Sequence, residues 1–347
     1  MMDADFLTRI LSRLKKIHSD MRDAICDHVR HYNLEYLSEV SRSSAADTIY
    51  KIDESCESIL YDHCIRWCRE SCFVLIAEGM GDDGFLTFPE NADESDAEFR
   101  LIVDPIDGTR GLMYDKRSAW ILSGVASNKG KETCLTDIEL AIQTEVPLTK
   151  QYLADMLYAV RGRGTKGERL NILNSKSTDF YPRPSQKTTL KHGFAMLTKF
   201  FPGRKQITSA LEEELLQSLG LLDPREPIYV FDDQYLSTGG QLYELTVGHD
   251  RFSGDFRAHL MTAADMDGLP PQMAVHPYDL CTELLAREAG VIITDLYGRP
   301  LNAALDVTSN VSWLAYANEH LRAQIEPKLQ ELLRKYKLIS DEEKNAS

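Results

Sequence analysis

Residues 4–30 place Phe6, Leu7, Ile10, Leu11, Leu14, Ile17, Met21, Ile25 and Val29 on one apolar stripe of helical spacing. A second helical stretch is predicted from Glu54 to Arg69, with Ile59, Leu60, Cys64 and Trp67 inward. Phe73-Val74-Leu75-Ile76 is a short continuous apolar run, read as a buried strand ending at Glu78-Gly79. Residues 81–98 are acidic and are predicted to be a loop. Leu101-Ile102-Val103 is a further buried strand that stops at Asp104-Pro105. Strands follow at 119–126, 137–146 and 152–160, the last two as a hairpin, and Arg161-Gly162-Arg163-Gly164 makes a turn. Residues 175–190 are polar with two prolines, and the boundary between two domains, 1–180 and 181–347, is expected there. Beyond it the pattern predicts a strand near 193–198, a helix at 207–219 and a strand at 227–231. It then predicts a helix after Gly239-Gly240, a helix from Asp279 to Gly290, a strand at 291–294 and a last helix from Asn318 to Tyr336. Strands and helices mixed in both halves indicate an α/β or α+β chain with two sheets.

Composition narrows the classes. The 347 residues are 43% hydrophobic and 27% charged, a globular balance long enough for about two domains. The net charge of −15 argues against binding a nucleic acid polymer or an anionic membrane and suits a site that gathers cations. No apolar run approaches the ~20 residues of a membrane span, and Asp3, Asp5, Arg9 and Arg13 exclude a signal peptide at the start. Seven cysteines, four of them crowded into 56–72, point to a reduced cytoplasm. Cys64, Cys68 and Cys72 recur every four residues, which fits buried thiols on a helix better than any zinc or iron–sulfur pattern. Lys187, Lys191, Lys199, Arg204 and Lys205 form a loose basic cluster, read as a solvated face.

Candidate chemistry sits where apolar runs end. Glu78 closes one strand, and Asp104 and Asp107 close another within Asp104-Pro105-Ile106-Asp107-Gly108-Thr109. Asp279 opens a helix after His276-Pro277-Tyr278. Pro105 fixes its φ and Gly108 permits a tight turn, so the two carboxylates can converge with the Ile106 carbonyl between them. Carboxylates, a carbonyl and water are the ligand set of Mg²⁺, Mn²⁺ or Ca²⁺. Plainer roles remain open: an Asx-turn for the aspartates, a surface acid for Glu78 and an ordinary N-cap for Asp279.

These residues, in this order, resemble the inositol monophosphatase superfamily of Mg²⁺-dependent phosphatases. The resemblance rests on Ala77-Glu78-Gly79, Val103-Asp104-Pro105-Ile106-Asp107-Gly108-Thr109, Tyr278-Asp279 and Glu288-Ala289-Gly290, with Tyr50-Lys51-Ile52-Asp53 upstream. It spans residues 5 to 335 and implies a layered αβαβα sandwich. It further implies a first Mg²⁺ on Glu78, Asp104 and the Ile106 carbonyl, and a second on Asp104, Asp107 and Asp279. Asp53 would be an outer ligand or would hold a weaker third ion. Glu78 and Thr109 would orient and deprotonate the attacking water. Asp107, Gly108, Thr109, Arg110, Gly239, Gly240, Gln241, Gln272 and Asp279 would contact the substrate. Homodimerisation is common in such proteins.

Departures from the pattern bear on substrate. Gln272 stands where true inositol monophosphatases carry an acid, Gly239-Gly240-Gln241 replaces a Gly-Thr-Ala helix start, and Tyr278 replaces a Trp. Thr109-Arg110-Gly111-Leu112 is closer to the 3'(2'),5'-bisphosphate nucleotidase branch, where Arg110 would grip a second phosphate. The expectation is a small phosphorylated metabolite: an inositol or sugar monophosphate first, then 3'-phosphoadenosine 5'-phosphate, then fructose 1,6-bisphosphate. A catalytically silent phosphate-binding relative is the alternative, and the presence of every core carboxylate and of Thr109 speaks against it.

Overall fold

The structure is a computed structural model. It describes residues 2–32, 34–37, 40–43, 48–81, 83–225, 227, 229–264 and 273–340, with the side chains of 40–43, 48–55 and 262–264 outside that description. In chain order the first elements are α1 (Ala4–His31), α2 (Leu34–Leu37), β1 (Val40–Ser43), β2 (Thr48–Tyr50), α3 (Lys51–Trp67), β3 (Phe73–Ala77) and β4 (Phe85–Phe88). Then come β5 (Phe99–Asp107), α4 (Thr109–Met113), β6 (Ala119–Ser127), β7 (Ile138–Val146), β8 (Leu153–Val160), β9 (Thr165–Asn171) and β10 (Lys176–Phe180). The remainder is β11 (Gly193–Leu197), α5 (Lys205–Ser218), β12 (Val230–Phe231), α6 (Thr238–Thr246), β13 (Asp250–Asp255), α7 (Arg257–Ala264), α8 (Glu283–Ala289), β14 (Ile292–Thr294), β15 (Trp313–Tyr316) and α9 (Glu319–Lys335).

Two large sheets organise the chain. Strands β3 to β10 form one sheet of eight, ordered 10-9-8-7-6-5-3-4, and a second sheet of five runs 12-11-13-15-14. The stripe on α1 and the inner face of α3 pack on one side of the larger sheet, against β7 and β5. Helices α6 and α8 fill the space between the sheets, touching β6, β7 and β8 on one side and β13, β14 and β15 on the other. Helices α5 and α9 cover the outer face of the smaller sheet. The result is the αβαβα sandwich expected above. Two apolar cores correspond to it, one between α1, α3 and the larger sheet, the other around α6 and α8. Cys64 lies in the first core with Cys68 half-buried at its edge, whereas Cys72, beyond the end of α3, is half-buried against the second core.

Several elements differ from the sequence expectation. The acidic segment 81–98 contains β4, which pairs antiparallel with β3 from Phe73↔Phe88 to Ile76↔Phe85. Its four residues are too short a run to stand out among the surrounding acids. Strand β5 does not stop at Asp104 but continues to Asp107. The helix expected over Asp279–Gly290 divides into a 3-10 turn, Pro277–Leu280, and α8, which Gly290 ends at φ 106°. Strands β9, β10, β13 and β15 and helix α7 carry no clear periodicity of their own.

Candidate active site

Two strand pairings, one parallel and one antiparallel, set the site. Strands β3 and β5 run side by side with Ala77 opposite Val103, so Glu78 and Asp104, each the next residue, emerge together at the carboxyl edge of the sheet. That edge is where an α/β scaffold presents functional groups. Asp104 and Asp107 are three apart, and on an unbroken strand they would face opposite sides. The pairing of β5 with β6 skips a residue here: Asp104 faces Leu122, and Asp107 faces Trp120. This bulge brings the two carboxylates to the same side. Pro105, which has no N–H, occupies the irregular position, and Ile106 N–H donates to Asp104 Oδ1 at 3.0 Å.

Asp279 reaches the same point from the 3-10 turn after β13 and α7, with His276 N–H donating to its Oδ2 at 2.7 Å. One oxygen from each of Asp104, Asp107 and Asp279 lies within 4.8 Å of the others. Among the described residues no cysteine joins such a group. Asp104 and Asp107 are each only 7% exposed. Burial first, and then the charges of Asp107, Asp279 and Glu78, push the Asp104 carboxyl well above the ordinary carboxylate range. A cluster of hard oxygen donors that repel one another in this way fits a hard divalent cation, which removes the repulsion. The residues present therefore fit the metal that the sequence resemblance implies. Glu78 lines the same cleft outside the group of three, with Tyr278 Oη 3.5 Å from its Oε2.

The helix α6 holds Asp107 in place. Ser237 Oγ donates to Asp107 Oδ2 at 2.8 Å, and Gly239 N–H donates to the same oxygen at 2.6 Å. A Cβ at Gly239 would sit 2.9 Å from that oxygen and 2.7 Å from Leu122, so only glycine allows this approach. Gly108 adopts φ 93°, which turns the chain from β5 into the five-residue α4. Thr109 Oγ1 donates to the Ile106 carbonyl at 2.8 Å.

The cleft encloses about 930 Å³ including its open mouth. Asp107, Gly108, Thr109, Arg110 and Asp279 line it together with Asp104, Ile106 and Glu78. Four expected substrate contacts stand elsewhere or undescribed. Gln241 is 1% exposed, its amide spent on the Tyr235 carbonyl at 2.7 Å and the Ser253 hydroxyl at 3.3 Å, so it serves the core rather than the cleft. Gly239 and Gly240 act through α6 rather than from the cleft wall: Gly240 packs against the Tyr235 ring, 2.5 Å from where a Cβ would be. Gln272 lies outside the described residues, as does the side chain of Asp53. One turn beyond Asp53 on α3, Glu57 lines the cleft. The sequence reading also passed over Phe200, Phe201, Ser237, Arg257 and Met273, all cleft residues. Only Ser237, an N-cap residue type ahead of a helix, carried a usable signal.

No protein-family model matches the chain, and no curated protein matches it in sequence. Solved structures do. A fructose-1,6-bisphosphatase of Leishmania major, in its holo form, superposes with a TM-score of 0.65 over 94% of this chain and 94% of its own, at 13% identity. The extragenic suppressor protein suhB of Bartonella henselae does so with a TM-score of 0.60 over 92% and 98%, at 17% identity. This chain has the inositol monophosphatase/fructose-1,6-bisphosphatase fold. An inositol monophosphatase from Anabaena (Nostoc) sp. shares that fold at a TM-score of 0.56 over 95% and 97%, with 12% identity. At such identities what is shared is the inositol monophosphatase architecture, and the chemistry rests on the side chains above. Among the described residues no helix is long and apolar enough to cross a membrane.

Proposed function

We propose that the protein is a Mg²⁺-dependent phosphomonoesterase that hydrolyses a small phosphorylated metabolite to an alcohol and inorganic phosphate. The observation that carries this reading is the convergence of Asp104, Asp107 and Asp279 within 4.8 Å, in a cleft of a fold that solved phosphatases share. Asp104, Asp107, Asp279 and the Ile106 carbonyl would hold divalent cation, with Glu78 completing the set. Bound there, the cation supplies Lewis-acid polarisation of water and phosphoryl oxygens.

The remaining roles belong to the chain itself. In this reading the water oxygen bonds to phosphorus as the ester P–O bond breaks, and the leaving alcohol oxygen takes a proton from solvent. Glu78 takes the proton of the attacking water. Thr109 Oγ1 already gives its own proton to the Ile106 carbonyl, so it meets that water as an acceptor. Ser237 and Gly239 keep Asp107 oriented while substrate enters.

The test is phosphate release from inositol 1-phosphate, 3'-phosphoadenosine 5'-phosphate, fructose 1,6-bisphosphate and p-nitrophenyl phosphate, with Mg²⁺ and with EDTA. Release that EDTA abolishes and Mg²⁺ restores is expected. A folded protein inert on all four with Mg²⁺ would overturn the proposal and leave a phosphate-binding role. Thr109→Ala is expected to lower kcat by about 100-fold, the scale of a misplaced attacking water, and to leave the Mg²⁺ dependence near that of the wild type.

A further inference from the structure

We infer that Phe200 and Phe201, seated on Arg257, form a stacking wall for a planar aromatic group, so that the substrate class is a phosphorylated nucleoside rather than a polyol phosphate. The inference rests on the phosphatase reading for its phosphate end, and on independent residues for the wall.

The wall is built from the ends of two strands of the smaller sheet. Strands β11 and β13 are parallel with Leu197 opposite Gly254, so the chain leaves both at the same edge. Three residues later stand Phe200 and Arg257. The guanidinium carbon of Arg257 lies 4.7 Å from the centre of the Phe200 ring and 5.2 Å from that of Phe201. The two rings meet edge to face, with centres 4.9 Å apart. Both are half-buried and both line the cleft that holds the carboxylates.

Arg257 is a rigid seat, not a phosphate receptor. It is 5% exposed. Its Nε donates to both oxygens of Asp255, at 3.0 and 2.8 Å, and its Nη2 lies 2.7 Å from Asp255 Oδ2. Its Nη1 donates to the Met273 carbonyl at 2.6 Å. The charge is thus neutralised and the geometry locked before any ligand arrives. The Met273 sulfur, 3.8 Å from Arg110 Nη2, extends the same wall toward the carboxylates.

Such a wall has a definite chemical preference. A polyol is held mainly through its hydroxyls, and these find no hydrogen-bond partners on a bare aromatic face. A nucleobase presents a π-face, and stacking on aromatic side chains is worth enough to change affinity by about 10- to 100-fold per contact. Arg110 lines the same cleft.

The test compares the wild type with Phe200→Leu/Phe201→Leu, which keeps apolar volume over Arg257 and removes the π-faces. Thermal unfolding checks that the variant is folded, and Phe200→Tyr/Phe201→Tyr serves as the conservative control. With Mg²⁺, wild-type kcat/KM for adenosine 3',5'-bisphosphate is expected to exceed that for inositol 1-phosphate by at least about 10-fold. The leucine variant should lose about 10-fold in that ratio, and the tyrosine variant should keep it. A wild type that prefers inositol 1-phosphate, or a ratio untouched by leucine, overturns the wall. Calorimetric binding of adenosine 3',5'-bisphosphate separates the two readings. Binding that the leucines weaken, with no hydrolysis of any ester, sinks the phosphatase and keeps the wall. Hydrolysis of polyol esters without nucleotide binding sinks the wall alone.

Discussion

Asp104→Asn is expected to lower kcat by about 1,000-fold or more and to abolish Mg²⁺ binding together with it. The carboxylate sits at the centre of the cluster, within 4.8 Å of both Asp107 and Asp279, and a metal acting as Lewis acid contributes several kcal/mol at about 1.36 kcal/mol per tenfold in rate. Stability should move the other way. Because the Asp104 carboxyl is held well above its ordinary range, the folded state binds its proton more tightly than the unfolded chain. Its contribution to stability is therefore fully present below the ordinary carboxylate pKa of about 4 and is lost as pH rises through the raised value. Metal-free wild type should lose melting temperature over that rise, and Mg²⁺ should restore it increasingly with pH. Metal-free Asp104→Asn should show a flatter profile and no Mg²⁺-induced shift. Melting curves across pH, with Mg²⁺ and with EDTA, read all of this. A variant that keeps near-native turnover or a native Mg²⁺ shift would refute the metal assignment.

Arg257→Leu is the second large effect. Arg257 and Asp255 form an ion pair whose side chains are 6% and 1% exposed. Removing one partner leaves Asp255 charged and buried, which costs about 3–5 kcal/mol in comparable cases. Urea unfolding should register that loss, and Asp255→Leu/Arg257→Leu should recover most of it because no lone charge remains. A single variant within about 1 kcal/mol of wild type would show that the pair is not the lock described above.

Much of the scaffold is legible in the chain because it depends on local pattern. The α1 stripe, the apolar run of β3 and the alternation along β7 are each patterns that neighbouring residues alone define. Strand β4 escaped because four residues flanked by acids have no period to measure, and its pairing with β3 decides its state. Glu78 and Asp104 were legible for a similar reason: each ends an apolar run, where a charged side chain has to emerge into solvent or a crevice.

What the chain by itself determined, then, is the set of candidate residues: Glu78 and Asp104 at strand ends, Asp107 and Thr109 beside a glycine turn, Asp279 at a helical start. How they meet was decided in three dimensions. The skipped residue between Asp104 and Asp107 turns two carboxylates to one side, and only the pairing with β6 reveals it. Gln241, polar and next to the glycines, reads as a ligand contact until the packing of α6 turns it toward Tyr235 and Ser253. Phe200 and Arg257 are 57 positions apart, and neither sits in a periodic pattern or motif. They meet because parallel strands leave a sheet at a common edge, a consequence of register that no local stretch of sequence encodes.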